Sequence, residues 1–583
     1  MHRNERLTLV ASLLLWIAYF LCLMHSYPMY ISAQRGHSVA MIDALFPYFN
    51  LITLSLSLLC FGCVIYKIEN KFLHTLLLTQ FSLILWLTPF YLSGFVLSHD
   101  TLYHGGVSLY APEVLNGTHT YFSDYLENYP VSFIFNWIFL NIIAVDMPTY
   151  GRLIFPSLIG VATAILMYNF ASKLFDGRIA LISTFLAIIG LYYVEIQVSP
   201  QSIGVMLVLT TVSLLYRGDA KSKIGSILPI LVLIPTHPVH PLLLTVFLIA
   251  PAISQRLTHT SSRYVPFGVS YTLLVAAGWL AWALFHSVTV GAMPFVHTIY
   301  KVAAFSFAVD PMEAVNPTKT LFPLFEFLRT YILYSYAAVL FAFTLTNLNL
   351  NRIRSIKGTY RHLTRAPGLK RVMIFTFIIL FFLLAYVLRT STGEGGVNLV
   401  QRAIFYLFLS VCMFIASSFI GSIDKAASRS LKLLLVIVIG CWIATTAFVY
   451  PLASYSHTSY SAIPYSEGAG IEFLGRITLD SKSVFTYRPK DFVLTTRTGE
   501  LNLIKLSEEK NKLPENLEEI VERSIDVAVF QRGLYYYSSN QDLSFEDNAY
   551  TRVYDAVSQS RVMNKVYTNP SYDIFMKVSL EGS

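Results

Sequence analysis

The side chains best suited to chemistry lie in one short stretch, His99–His104, which reads HDTLYH. The stretch follows an apolar run, Leu73–Leu97, that is long enough to cross a bilayer. A carboxylate with imidazoles beside it at the end of a membrane span is a typical setting for a functional site, because such groups are costly in lipid. Asp100 is therefore the best candidate for a general base, and a helix-capping or solvated aspartate is the alternative.

Two further side chains of this stretch have the spacing of a helical turn. Tyr103 and His104 follow Asp100 by three and four residues, which places them on the same helix face. They could hold the carboxylate in position. His99, Asp100 and His104 could together bind a divalent metal ion, but their spacing matches no fixed ligand set, so solvated histidines are the favoured alternative.

The segment that follows is acidic. Residues 98–130 contain Asp100, Glu113, Asp124 and Glu127 and have no lysine or arginine. Asp124 and Glu127 could bind an acceptor molecule or could keep an exposed segment in water, and the pattern leaves both interpretations open. Solvation is favoured for Glu113.

The composition is that of a polytopic α-helical membrane protein. Of the 583 residues, 55% are hydrophobic and 13% are charged, and the mean hydropathy is +0.56. Apolar runs of about twenty residues, the length that crosses a bilayer, recur along the chain, and we count about thirteen spans. The predicted spans are Thr8–His25, Leu45–Tyr66, Leu73–Leu97, Tyr150–Leu174, Ile179–Ile196, Ile203–Tyr216, Ile224–Pro235, Pro238–Ile253, Val265–His286, Phe322–Thr346, Val372–Leu388, Leu399–Ile420 and Leu431–Tyr450.

Charge predicts the orientation of these spans. The run 131–145 is too short to cross, and we interpret it as a re-entrant or interfacial helix. Alternation from a cytoplasmic N-terminus then places the acidic segment outside and five basic connections inside, as the positive-inside rule requires. These connections are 66–71, 173–178, 216–223, 347–371 and 422–432. The connection 347–371 is the most informative, because it has seven basic residues and no acidic one. We expect a multi-pass protein of the plasma membrane.

The net charge of +8 does not indicate a nucleic-acid partner. Residues 454–583 contain 14 basic and 18 acidic residues, so the positive excess belongs to the membrane part of the chain. Membrane lipid is the partner that such a distribution predicts.

A second domain begins near residue 453. We divide the chain into a transmembrane domain, 1–452, with the acidic outer loop 98–130, and a soluble extracytoplasmic α/β domain, 453–583. In the second part, helical patterns at 467–477, 514–524 and 545–559 alternate with strand patterns at 483–487, 525–531, 564–569 and 572–578. Alternation of this kind is typical of a small α/β domain.

Arg402 is the best candidate for binding an anion. It lies near the predicted outer end of a span, in an apolar sequence with no acidic residue three or four positions away. A guanidinium can hold a phosphate by two hydrogen bonds, and snorkelling to lipid headgroups is the alternative. Arg389, at the end of the preceding span, could share the role. His237 and His240 lie at the proline-rich turn PTHPVHP, where a structural role is favoured.

Taken in order, the motifs resemble those of the GT-C superfamily of glycosyltransferases, and of its archaeal members related to protein mannosyltransferases in particular. Besides Asp100 in HDTLYH, they are the step NYP at 128–130, the arginine of YGRL at 150–153, the turn SPQS at 199–202, the span start NLVQRAIFYLFL at 398–409 and the terminal strands NKVYTNPSYDIFMK at 564–577. The WWDYG signature of oligosaccharyltransferases is absent from the sequence, which argues against the branch that transfers whole glycans to asparagine.

The resemblance implies a donor, an acceptor and a set of roles. The donor would be a polyprenyl-phosphate-linked sugar such as a dolichol-phosphate sugar, and the acceptor a glycan, lipid or protein on the extracytoplasmic face. Asp100 would be the base, while Arg402, with Tyr103, His104 and Arg389, would bind the donor phosphate; Asp124 and Glu127 would lie on the acceptor side. The pattern identifies no definite cofactor, and a divalent metal could take part.

Two other functions fit parts of the pattern. A polysaccharide polymerase or ligase would share the lipid-phosphate chemistry. A lipid or solute transporter would place ionisable residues at mid-membrane and show two related halves. The ionisable residues of this sequence gather instead at the ends of the predicted spans, which favours the glycosyltransferase.

Overall fold

The structure is a computed structural model. It describes residues 3–33, 40–88, 99–109, 111–116, 126, 128–190, 198–258, 265–289, 334–343, 372–384, 396–425, 428, 430, 432–446, 483–486, 502–503, 527–531, 557–559, 563–568 and 572–577.

The described part of residues 1–452 is almost entirely helical. In chain order its helices are α1 Arg3–Ala33, α2 Ala40–Ile65, α3 Lys71–Ser82, α4 His99–Leu109, α5 Ala111–Leu115, α6 Val131–Ile143, α7 Met147–Thr149, α8 Phe155–Leu174, α9 Gly177–Gly190, α10 Pro200–Leu215, α11 Ala220–Leu233, α12 His240–Thr258, α13 Val265–Thr289, α14 Tyr334–Phe343, α15 Val372–Leu384, α16 Gly396–Lys425 and α17 Lys432–Thr446. Wider π-helical turns follow α3 at Leu83–Leu87 and join α7 to α8 at Tyr150–Ile154.

Four stretches of the described helices are long and apolar enough to cross a membrane. They are Arg3–His25, Tyr150–Leu174, His240–Leu257 and Arg402–Asp424. The remaining apolar helices are shorter within the described residues, so the predicted number of about thirteen spans stays a prediction. The prediction of a short helix after Pro130 is confirmed, because α6 has 13 residues. The residue that follows it, Ala144, has a φ of 54° in the left-handed region, which is typical of a helix end.

Side-chain caps fix the starts of several helices. Asn70 accepts hydrogen bonds from the backbone N–H groups of the first turn of α3, Ser199 caps α10, and Asp219 caps α11. Each cap satisfies amide groups that a helix start leaves without an intrahelical partner. The cap at Ser199 matters most for the site, because it makes the motif SPQS the first turn of α10.

Three of the predicted inner connections meet at one end of the helices. Arg178, at the start of α9, forms an ion pair of 3.2 Å with Asp424 near the end of α16. Close by, the ring of His74 in α3 is hydrogen-bonded to the Tyr168 hydroxyl and to the Ile68 carbonyl, at 3.0 Å each. The connections 66–71 and 173–178 and the described residues 422–425 therefore lie together, which agrees with the charge pattern that predicted one face of the membrane for them.

The same helix, α16, carries Arg402 to the opposite end. Arg402 and Asp424 are separated by about 33 Å along the axis, from a rise of about 1.5 Å per residue. This distance is close to the thickness of a bilayer core, about 30 Å. The cationic candidate and the inner connections thus lie at opposite ends of a membrane-length helix.

The part of the chain after residue 453 contributes a five-stranded sheet. Its strands are β1 Ser483–Thr486, β2 Asn502–Leu503, β3 Val527–Gln531, β4 Met563–Thr568 and β5 Tyr572–Lys577. Their order is β2-β1-β3-β5-β4, with β1 parallel to both β2 and β3, and β5 antiparallel to β3 and β4.

Four of these strands coincide with predicted strands, and β2 was not predicted. Its two residues are too few to give a periodic pattern. The last three residues of the predicted helix at 545–559 are helical. The predicted helices at 467–477 and 514–524 lie outside the described residues, so the extracytoplasmic α/β domain as a whole stays a prediction.

Candidate active site

The segment predicted as an outer loop is helical where it carries Asp100. The helix α4 starts at His99, and Asp100 is its second residue. The side chains of His99, Asp100 and Tyr103 lie outside the described set, whereas the ring of His104 is described and packs against the Phe133 ring of α6 at 5.7 Å between centroids. The position of Asp100 is therefore known through the backbone of α4 and its neighbours.

A chain of hydrogen bonds holds α4 to the elements that follow it. The Tyr150 hydroxyl donates to Asn136 Oδ1 at 3.0 Å, and Asn136 Nδ2 donates to Ser108 Oγ at 3.5 Å. Ser108 in turn donates to the carbonyl of His104 at 2.7 Å. Tyr150, Asn136 and Ser108 are all buried. Hydrogen bonds between buried groups depend strongly on direction, so this network fixes the position of α4 relative to α6 and to the π-helical turn at Tyr150–Ile154.

Two glycines allow α4 to approach the start of the Tyr150 span closely. A Cβ at Gly105 would overlap the side chain of Met147. A Cβ at Gly151 would lie 2.7 Å from Thr101 Cγ2 and 3.7 Å from Val198 Cγ2. Thr101 directly follows Asp100, and Val198 directly precedes the SPQS turn, so the start of α4 and that turn lie on either side of Gly151.

Two tryptophans of α13 fix the NYP step and the proline-rich turn side by side. Trp282 Nε1 donates to the carbonyl of Asn128 at 2.9 Å, and Trp279 Nε1 donates to the carbonyl of Pro238 at 2.7 Å. The amide of Val131, the first residue of α6, donates to the carbonyl of Pro235 at 3.4 Å. Residues 128–131 and 235–238 therefore form one surface.

The two histidines of the proline-rich turn differ in their surroundings. His237 Nδ1 accepts the amide hydrogen of Val239 at 3.1 Å, so in the neutral ring the proton is on Nε2. This is the structural role that the sequence predicted for the turn. The His240 ring lies 4.3 Å from that of His237 and 6.0 Å from that of Tyr406, between centroids. It also packs on Gly204 of α10, where a Cβ would lie 2.9 Å from its Cγ.

Arg402 lies in the same neighbourhood. Its Nε donates to Oε1 of Gln201, the third residue of SPQS, at 3.3 Å. The charge of the guanidinium acts on both His237 and His240, and that of a protonated His104 acts on His237. His104 of α4 and Arg402 of α16 thus both lie close enough to the His237 ring for their charges to act on it.

The helix ends add a positive field to this cluster. α6 begins at Val131, α10 at Pro200 and α12 at His240, and these starts lie beside one another through the contacts described above. The start of a helix carries a partial positive charge and amide groups that point outward. With Arg402 among them, the cluster is suited to an anionic ligand.

Of the predicted site residues, Arg402 and His104 are brought together. Tyr103 and Asp100 lie on α4 without described side chains, the side chain of Glu113 is likewise outside the described set, and Arg389, Asp124 and Glu127 lie outside the described residues. His240, Tyr406 and the two tryptophans were not predicted for the site. The sequence signal that could have found them is the density of histidine, proline and tryptophan in regions that otherwise read as plain spans.

The predicted metal site stays a prediction. Among the described side chains, no group of three or more histidine, cysteine, aspartate or glutamate residues could hold a metal ion. The predicted ligands His99 and Asp100 are not among those side chains.

Comparisons with known proteins give distant structural similarities. The apo oligosaccharyltransferase of Archaeoglobus fulgidus has a TM-score of 0.48 and 13% identity, over 81% of this chain and 71% of that one. Its complex with zinc and sulfate has a TM-score of 0.47 and 11% identity, over 80% and 69%. The oligosaccharyltransferase AglB from Archaeoglobus fulgidus, in complex with an inhibitory peptide and a dolichol-phosphate, has a TM-score of 0.44 and 12% identity, over 85% and 71%. No family model and no curated protein matches the sequence.

Proposed function

We propose that the protein is a membrane glycosyltransferase that moves a sugar from a polyprenyl-phosphate donor to an acceptor on the extracytoplasmic face. One observation carries the proposal. The helix that carries Asp100, the NYP step, the SPQS turn and Arg402 come from separate parts of the sequence but are adjacent in the structure. The order of these motifs resembles that of the GT-C superfamily, and their convergence at one end of the helices is what a shared site requires.

In this reaction the carboxylate of Asp100 and the guanidinium of Arg402 have different roles. Asp100 takes the proton of the acceptor hydroxyl as its oxygen forms a bond to the anomeric carbon. The bond from that carbon to the lipid phosphate breaks, and the phosphate leaves with the electron pair. Arg402 meets the charge that grows on the phosphate, assisted by His104, Tyr103 and Arg389, so it stabilises the transition state as well as the bound donor. Asp124 and Glu127 would face the acceptor.

The test is a transfer assay in membranes with radiolabelled polyprenyl-phosphate sugars. We expect Asp100→Asn to lower the initial rate by about 10²-fold to 10⁴-fold, because the amide cannot accept the proton. Asp424→Asn, which removes a carboxylate at the other end of α16, is the matched control and should retain the rate of the wild type.

Two results would contradict the proposal in different ways. Equal transfer by the Asp100→Asn variant would remove Asp100 as the base. A wild-type protein that uses no polyprenyl-phosphate sugar would overturn the glycosyltransferase itself and favour a transporter.

A further inference from the structure

The inference concerns His240 and Tyr406, two polar side chains in the apolar interior beside Arg402. Both are fully buried, with relative exposures of 0%. Among the residues that the structure describes, neither ring nitrogen of His240 nor the hydroxyl of Tyr406 has a hydrogen-bond partner. Buried polar groups are nearly always hydrogen-bonded, and one left without a partner destabilises the fold. A hydrogen-bond partner for these three atoms must therefore come from a group outside the described part of the chain.

Their positions are fixed by packing, not by polar contacts. The Tyr406 ring stacks on Phe381 at 5.7 Å and meets Phe247 edge-on at 5.8 Å between centroids. The His240 ring lies on Gly204, where any side chain would displace it. Tyr406 follows Arg402 by four residues on α16, so the two side chains lie on the same face of that helix. The His240 and Tyr406 rings lie 6.0 Å apart between centroids, and Arg402 is bonded to Gln201, three residues from Gly204, so a hydroxyl, an imidazole and a guanidinium lie near one another.

The surrounding charge decides which kind of group fits. The guanidinium of Arg402 acts on the His240 ring, and α10 and α12 both begin beside it. A cation would be repelled there, whereas an anion with several acceptor oxygens would receive hydrogen bonds from the Tyr406 hydroxyl, from an imidazole N–H and from Arg402. A phosphate group has that charge and that number of oxygens.

We propose that His240 and Tyr406 complete, with Arg402, the binding site for the phosphate of a lipid-linked phosphate sugar. The inference rests on the proposed function, and it assigns binding roles to two residues beyond Arg402. The donor phosphate then contacts α12 and α16 together.

The experiment uses the full-length protein in lipid nanodiscs and measures thermal unfolding during titration with dolichyl monophosphate. We expect the lipid to stabilise the wild type. Tyr406→Phe and His240→Phe should each weaken its binding by about 10-fold to 100-fold, the effect of losing one hydrogen bond to a charged group. Without lipid, Tyr406→Phe should unfold at the same temperature as the wild type or higher, because it removes only a hydroxyl that has no partner. A purely structural hydroxyl would give a lower temperature instead.

His74→Phe provides the matched control. His74 is equally buried, but both of its ring nitrogens are hydrogen-bonded, to Tyr168 and to Ile68. The substitution should lower the unfolding temperature without lipid and leave the affinity for dolichyl monophosphate unchanged.

The outcomes separate this inference from the proposed function. If Arg402→Ala weakens binding while His240→Phe and Tyr406→Phe bind as the wild type does, the inference is wrong and the proposed function stands. If inorganic phosphate added in water protects the wild type as well as dolichyl monophosphate does, the site takes free phosphate and the assignment to a lipid-linked donor is overturned. If neither probe stabilises the wild type, both proposals fail.

Discussion

Arg402 and Gln201, 201 positions apart in the chain, are joined by a hydrogen bond of 3.3 Å from the guanidinium Nε to the amide Oε1. An amide oxygen orients a guanidinium without neutralising its charge. The contact also ties the first turn of α10 to α16. Both partners belong to motifs that the sequence marked independently, SPQS and NLVQRAIFYLFL.

The first prediction concerns this pair. Arg402→Lys should raise the donor concentration needed for half-maximal transfer by about 10-fold to 100-fold, because lysine cannot form two parallel hydrogen bonds to a phosphate. Gln201→Leu should have a smaller effect, about 5-fold, since it removes one orienting hydrogen bond. Initial rates against donor concentration measure both.

Gln80→Leu is the control for this experiment. Gln80 is a buried glutamine whose side chain is bonded to Ser12 at 2.7 Å and 2.9 Å, away from the site. Its loss should change stability and leave the donor dependence as it is. Equal donor dependence in all three variants would contradict a phosphate role for Arg402.

The second prediction tests the tryptophan contacts of α13. Trp282→Phe removes the hydrogen bond to the Asn128 carbonyl and frees the NYP step, so transfer should fall and stability should decrease by about 1 kcal/mol. Trp442→Phe removes a comparable bond, from its Nε1 to Ser335 Oγ at 3.1 Å. That variant should lose similar stability, as measured by thermal unfolding, and keep the wild-type transfer rate. A Trp282→Phe variant with normal transfer would mean that the position of the NYP step is unimportant.

The third prediction tests the close approach of α4 to α7. Gly105→Ala should destabilise the protein by about 1–3 kcal/mol, because the added methyl overlaps Met147. The double variant with Met147→Ala should recover part of the loss. Gly225→Ala is the control, since nothing lies within 4 Å of a Cβ at that position. No recovery in the double variant would mean that the overlap is relieved in another way.

The fourth prediction concerns orientation. In a cysteine-free background, a cysteine replacing Arg217 should react with a membrane-impermeant reagent only after the cell is opened. A cysteine replacing Asn116, which is exposed and belongs to the predicted outer segment 98–130, should react in intact cells. Labelling of both from the same side would invalidate the predicted arrangement of spans.

The fifth prediction concerns pH. Hydrogen bonds from the Ser222 amide and hydroxyl, with the nearby charge of Arg217, hold the pKa of Asp219 below its ordinary value of 3.8. A carboxyl whose pKa is lowered by folding stabilises the folded protein at pH values above the pKa of the unfolded state. That stabilisation is lost as the pH falls through the pKa of the folded state. Thermal unfolding from neutral pH to below 3.8 should show this acid-dependent loss in the wild type.

Asp219→Asn supplies the comparison for the pH series. Asparagine keeps the cap but has no charge to lose. Its unfolding temperature should fall less steeply on acidification. An identical decline in both proteins would assign the acid sensitivity to other carboxylates.

The sequence predicted most of the helices and strands because their apolar patterns are long. It placed the HDTLYH, SPQS and Arg402 motifs at a common face through charge alone. It did not predict that residues 99–115 are largely helical, since the helix α4 is held by Gly105 and by the Ser108 network and shows no long apolar stripe. Nor could it predict that His240 lies against Tyr406, because that contact depends on how α10, α12 and α16 pack together.

The length of α16 has a further consequence. The residues that would set orientation in the membrane lie near Asp424, and those proposed to meet the substrate lie near Arg402, about 33 Å away. Changes that alter insertion or partner attachment at the basic end need not disturb catalysis at the other. Selection could thus have reshaped the two faces of this protein independently, with a single helix as the part common to both.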